Sequence, residues 1–256
     1  MATFIGLIMN SKCQQTLISK CLLGVFCCAH FNMAVYAQNI SIQQAEQAID
    51  QKYAALDFYA VNQQIENDVV DLIRENAESY AYSFPKLTEN LRLKINASPD
   101  QLLKFYTVDV GGGGTMGEFS SYAQMKSSKS AKLQPLETGY ILKIDQIKLG
   151  AQPIYLIQSY YKGDSCHGLY QIQAFKMHAQ ALTATPVFQT KNKQLSSIEV
   201  DYDCHYDEER RGSYIRVSKD LNKIDITLLD QNSRPTGKYL RYQRSNTGYQ
   251  YTGVTK

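Results

Sequence analysis

The stretch PIYLIQSYYKGDSCHGLYQIQAFKM, residues 153–177, organises the chain. Two apolar-aromatic runs flank Gly163-Asp164-Ser165-Cys166-His167-Gly168. Such runs on either side of Gly, Asp and Ser read as a strand, a turn and a returning strand. Outward from this hairpin, strand-like runs recur to the C-terminus. They fall near 91–95, 102–110, 119–125, 139–147, 182–189, 198–203, 214–217, 224–229, 239–244 and 249–252. Most joins between them hold Gly, Pro, Asn, Asp or Ser, which turn the chain for distinct steric and hydrogen-bonding reasons. About a dozen short strands with tight turns predict an antiparallel meander, closed as a sandwich, an open barrel or a partial propeller. Lys126–Lys132, KSSKSAK, reads as a polar loop.

Residues 41–83 read as helical. Ser41 and Gln44 have capping-box spacing. Ile42, Ala45, Ile49, Tyr53 and Leu56 recur every three or four residues, and Val61, Ile65, Val69, Leu72 and Tyr80 form a second stripe. No Gly or Pro separates the stripes, so a helical hairpin and one bent helix are both open; Pro85 is expected to stop the helix. The fold class is therefore α+β: a helical segment, 38–85, covering an edge or face of an antiparallel β region, 86–256, in one domain.

The first 37 residues are set apart. Lys12 and Lys20 precede the apolar run Cys21–Ala29, and Val35-Tyr36-Ala37 fits a signal-peptidase site before Gln38. Met9 is an alternative start to Met1, since it leaves a short basic segment before the apolar run. The alternative to an export signal is a buried N-terminal helix. The run is too short to span a membrane, and no later segment is long and apolar enough. Loss of the signal leaves 25 basic and 24 acidic residues, a net charge of +1. A nearly neutral exported chain has no electrostatic reason to bind nucleic acid.

Cys13, Cys21, Cys27 and Cys28 leave with the signal, so Cys166 and Cys204 remain. Two cysteines in an oxidising compartment predict one disulfide. Each is followed by a histidine, His167 and His205, so the four residues also make up the ligand set of a structural zinc site. Neighbours on an extended chain point to opposite faces, which argues against convergence of all four. The disulfide is preferred, with both histidines beside it and no metal or other cofactor.

Gly111–Gly114 followed by Thr115 lacks the Lys and the following helix of a phosphate loop, so it reads as a glycine-permitted turn. Asp201, Asp203, Asp207, Glu208 and Glu209 could bind Ca²⁺ through hard oxygen ligands but lack the EF-hand glycine and twelfth-position Glu; a solvated hairpin tip explains them equally well. Asp109 and Glu118 are a candidate acid–base pair. There is no G-x-S-x-G, no H-E-x-x-H and no reactive-cysteine setting, so no catalytic residue is assigned. Eighteen tyrosines follow the signal, with no tryptophan. They suit a half-buried pleated surface, or alternatively a recognition face.

From Tyr82 onward the chain resembles a group of uncharacterised exported bacterial β-rich proteins. The matching residues are Phe105-Tyr106-Thr107-Val108-Asp109, a strand ending in Asp, and the turn Gly113-Gly114-Thr115-Met116. Further matches are Ser197–Asp203, Tyr239–Gln243 and the closing pair Gly248-Tyr249. Val108 departs from the group, where an aromatic, often Trp, precedes the Asp. The resemblance implies a β-rich fold and export, and marks Asp109, Gly113, Gly114, Thr115 and Met116 as a candidate binding turn. The function expected from these features is a non-enzymatic periplasmic or secreted domain that binds an envelope protein or glycan, as an immunity or inhibitor protein does. The alternatives are a hydrolase of envelope polymers, using carboxylates such as Asp109, Glu118, Asp201 or Asp203, and a structural envelope protein.

Overall fold

The computed structural model describes residues 40–56, 63–111, 117–126, 132–206 and 214–256. The expected signal, the Gly113–Met116 turn, most of KSSKSAK and Asp207, Glu208 and Glu209 lie outside the described residues. Residues Ile40–Lys256 form one unit, mostly antiparallel β with a few helices and, among the described residues, no closed barrel.

Helix α1, Ile42–Ala55, opens on the expected capping box: the Ser41 hydroxyl accepts from the Gln44 amide, and the Gln44 side chain accepts from the Ser41 amide. It ends at Leu56, whose backbone is extended. Helix α2, Gln63–Glu75, is therefore a separate element. A Lys52–Asp68 ion pair at 2.5 Å joins the two. Pro85 does not stop a helix, as expected, but starts one. Phe84 turns the chain through a left-handed conformation (φ 52°), and Pro85 occupies the first turn of α3, Pro85–Glu89. That position needs no backbone N–H from proline.

The strands form three sheets. In the first, β1 (Leu93–Ala97), β2 (Leu103–Asp109), β3 (Phe119–Met125) and β4 (Lys132–Leu136) lie in chain order, all antiparallel. Strand β4 was not expected, since Pro135 and the polar stretch before it argue for a loop. As the edge strand it tolerates a proline without an unmade ladder bond. The second sheet runs β11 (Ser197–Asp203), β7 (His167–His178), β6 (Gln152–Lys162), β5 (Tyr140–Leu149), with β8 (Ala181–Ala184) also on β7. The third runs β10 (Gln194–Leu195), β9 (Phe188–Gln189), β15 (Gly248–Thr255), β14 (Pro235–Ser245), β13 (Lys223–Leu229), β12 (Ile215–Val217).

The single strand expected over 182–189 is two strands in different sheets. Pro186 between them has no amide to donate. Strand β9 then pairs in parallel with β15, with Phe188 opposite Tyr249, so the arrangement is not a simple meander.

Alternation along the strands decides the packing. In β2, Tyr106 and Val108 join α1, α2 and α3 in one apolar cluster with Ile49, Ile65 and Leu87. Leu103 and Phe105 point the other way, onto Tyr155, Ile157 and Phe175 of the second sheet. The opposite face of that sheet, Ile154, Leu156, Ile172 and Ala174, packs on Phe188, Ile224, Ile226 and Tyr249 of the third. Strand β6 is thus covered on both faces, and Ile154–Ser159 are all buried. This is why residues 153–157 read as a near-continuous apolar run instead of an alternating one.

Most tyrosines with a placed hydroxyl partner serve this architecture. Their hydroxyls pin one element to another: Tyr82 donates to Glu46 of α1, Tyr122 to Glu66 of α2, and Tyr155 to Asp100 in the β1–β2 turn. Tyr249 donates to the Leu221 carbonyl at 2.7 Å. Buried tyrosine needs such a partner for its polar tip. Burial raises the Tyr155 and Tyr249 pKa values, the latter to about 12.

Candidate functional site

The β6–β7 turn is built by one side chain. Asp164 Oδ1 accepts from the amides of Cys166 and His167, both at 2.7 Å. The Gly163 and Asp164 amides in turn donate to the His167 carbonyl. This is an Asx-type turn, for which Asp is suited by its short acceptor side chain. It leaves Cys166 facing β11, where the Cys204 amide donates to the Cys166 carbonyl at 3.0 Å. Cys166 and Cys204 form a disulfide with Cα atoms 4.9 Å apart.

The strand register sets His167 directly opposite Asp203. After Asp203 the chain leaves the extended conformation for a 3-10 turn, Cys204–Tyr206. The expectation that Cys204 and His205 must diverge assumed a continuing strand. The turn breaks the alternation, and Asp203 holds it: Oδ1 accepts from the His205 amide at 2.9 Å and contacts His205 Nδ1 at 2.7 Å. The two imidazoles are brought to 6.0 Å between ring centres.

A chain of donors and acceptors results. Asp164 Oδ2 lies 2.8 Å from His167 Nδ1, and His167 Nε2 lies 3.4 Å from Asp203 Oδ2. His167 and His205 are exposed, whereas the Asp203 side chain is only 15% exposed. The hydrogen bond to Asp164, then its charge, raises the His167 pKa. The His167 and Cys166 amides hold Asp164 well below the usual carboxylate range, and the His205 amide likewise lowers Asp203. One donor atom from each of His167, Asp203 and His205 lies within 4.8 Å of the others. Cys166, Cys204 and His205 make a second such group, but sulfurs joined in a disulfide are not thiolates.

Behind the turn sits a tyrosine cluster. Tyr160 and Tyr170 are cross-strand partners with rings 4.9 Å apart. Tyr170 stacks on Tyr214 at 5.6 Å, and Tyr202 stands edge-on to both. Tyr206, beyond the disulfide, is exposed beneath the Arg234 guanidinium at 4.8 Å.

The other candidates are dispersed. Asp109 pairs with Arg92 at 3.2 Å and accepts from the Gly111 amide at 3.0 Å. Register places Asp109 opposite Phe119, so Glu118 is one position out of step with it. Alternation then sends the two carboxylates to opposite faces, and they do not form the expected acid–base pair. The rest of the candidate binding turn, Gly113, Gly114, Thr115 and Met116, lies outside the described residues. Asp201 is exposed on β11, two residues from the His–Asp cluster. The cluster itself was missed by the sequence reading as a unit, although the repeated Cys-His pairs at 166–167 and 204–205 pointed to it.

Comparison with protein-family models, curated proteins and solved structures finds no match for this chain. Among the described residues no helix is long and apolar enough to cross a membrane.

Proposed function

We propose that the protein is exported, loses its first 37 residues, and acts outside the cytoplasm as a non-enzymatic binding domain for an envelope macromolecule, in the manner of an immunity or inhibitor protein. The observation that carries this reading is the tip formed by Gly163–Gly168 and Cys204–Tyr206. There a disulfide holds exposed His167, at the start of β7, beside exposed His205 and Tyr206 of the 3-10 turn that follows β11. A surface held rigid before contact loses less conformational freedom on binding. A disulfide is at home in an oxidising compartment, which agrees with the export signal read from residues 1–37. The resemblance to exported β-rich proteins, including the Phe105–Asp109 strand, supports the same compartment.

The test is capture of partners from envelope extracts by the mature chain, with Tyr206→Ala and His205→Ala as tip variants and Lys86→Ala as a distant control. A saturable partner, retained by the control and weakened by the tip variants, is expected. Absence of any saturable partner, or a partner indifferent to both tip variants, refutes the reading.

A further inference from the structure

We propose that His167, Asp203 and His205 form a binding site for a late first-row divalent cation, with Zn²⁺ the reference ion, and that Asp164 positions His167 for it. The inference is independent of the partner-binding reading.

The first ground is the orientation of His167. Its Nδ1 lies 2.8 Å from Asp164 Oδ2. A carboxylate accepts, so Nδ1 carries the proton and the lone pair of the neutral ring is on Nε2. That lone pair faces Asp203 Oδ2 at 3.4 Å. In the imidazolium form Nε2 donates a proton to this carboxylate; in the neutral form the two acceptors face each other, and a bound cation takes that proton's place. Bonds of about 2.0–2.2 Å to an imidazole nitrogen and a carboxylate oxygen, at a tetrahedral angle, put the two donors about 3.4 Å apart. A carboxylate behind a ligating imidazole, fixing its tautomer, is the usual outer shell of such sites.

The second ground is His205. Its Nδ1 lies 2.7 Å from Asp203 Oδ1, so in the metal-free chain it donates its proton there. When an ion takes this carboxylate, the His205 proton moves to Nε2, or to solvent from the charged ring, and Nδ1 becomes a second imidazole ligand. The resulting set is two nitrogens and one carboxylate oxygen, which suits Zn²⁺, Ni²⁺ or Cu²⁺ better than Mg²⁺ or Ca²⁺. Three protein ligands leave one tetrahedral position open to water or to a donor from another molecule.

The third ground is rigidity. His167 and Asp203 come from two strands paired in register from Ser197–Gln173 to Asp203–His167, and His205 from the 3-10 turn that follows, closed at that end by the Cys166–Cys204 disulfide. The backbones that carry the donors are thus held in place before an ion arrives.

Calorimetric titration of the oxidised mature protein with zinc chloride, and separately nickel chloride, tests this. One equivalent is expected to bind. His167→Gln and His205→Gln, both at exposed positions, are expected to abolish it, and Asp203→Asn likewise. His178→Gln, at the far end of β7, leaves it intact. Asp164→Asn keeps an oxygen for the two turn amides but removes the anion behind His167, so affinity falls about 10–100-fold. No saturable binding, or binding that survives both histidine variants, overturns the proposal. Binding that appears only after reduction also overturns it, because the ligands are then the Cys166 and Cys204 thiolates with His205. Unchanged affinity in Asp164→Asn overturns the positioning role of Asp164.

Discussion

Replacing Cys166 and Cys204 together by serine removes the bridge without leaving a lone thiol. The cysteines are 38 residues apart in sequence. Closing a loop of that length removes about 13 cal/mol/K from the unfolded chain, or about 4 kcal/mol at 25 °C, in the chain-entropy account. The folded state loses little of its own, since seven register pairs of β7 and β11 and the Cys204 amide bond to Cys166 remain. The loop is also unusual in content. It carries β8, which stays in the second sheet, and β9 and β10, which cross to the third. With a urea slope of about 2–3 kcal/mol per molar for a domain of this size, the midpoint is expected to fall by about 1.5 M. The slope itself should rise, because an uncrosslinked unfolded chain exposes more surface. Urea melts followed by circular dichroism read both quantities. A midpoint shift below about 0.3 M, equivalent to less than about 1 kcal/mol, refutes the argument that the bridge acts mainly on the unfolded chain.

Lys104 is buried, and its ammonium donates to the carbonyls of Ser79, Tyr80 and Tyr82. Lys104→Met leaves these acceptors without their donor, and a loss of about 2–4 kcal/mol in chemical unfolding is expected. Burial pushes the Lys104 pKa down to about 8, so above that pH the unfolded chain binds the proton more tightly. The stability of the wild type relative to Lys104→Met should therefore rise from about pH 8 to about pH 10.5, the buried tyrosines contributing equally to both; a flat difference means that the three carbonyls keep the proton on. The Ser218 hydroxyl, followed by the Asn222 amide, lowers the Asp220 pKa to about 2. Its stabilisation is present above the ordinary carboxylate range and is lost as pH falls from about 4 to about 2; Asp220→Asn should flatten that acid limb in urea midpoints. A Cβ on Gly139 would lie 2.4 Å from the Tyr160 carbonyl oxygen, so Gly139→Ala must displace the β5–β6 backbone, and a cost of about 1–3 kcal/mol in thermal unfolding is expected.

Local rules carried much of the fold. Apolar spacing located both long helices, and Ser41 with Gln44 marked the start of the first. Alternation and turn residues located most of the strands, and the apolar-aromatic runs in 153–177 located the β6–β7 hairpin, though not that β6 is covered on both faces. Where local rules failed, position in the sheet overrode them. Pro135 is harmless because its strand lies at an edge, and Pro186 ends one strand so that the next can cross to another sheet. Neither fact is visible without knowing the neighbours.

The cysteine pairing could be read from counting, since only two of the six cysteines lie outside residues 1–37. The juxtaposition of Asp164, His167, Asp203 and His205 could not. It depends on a register that sets residue 203 against residue 167, and on a 3-10 turn that swings residue 205 back toward both. Spacing along one chain says which side of a strand a residue faces. Which residue of a strand about 36 positions away stands opposite it is settled by packing the sheets together, because a slip of one residue would turn Val200, with half-buried Ile198 and Tyr202, out to water.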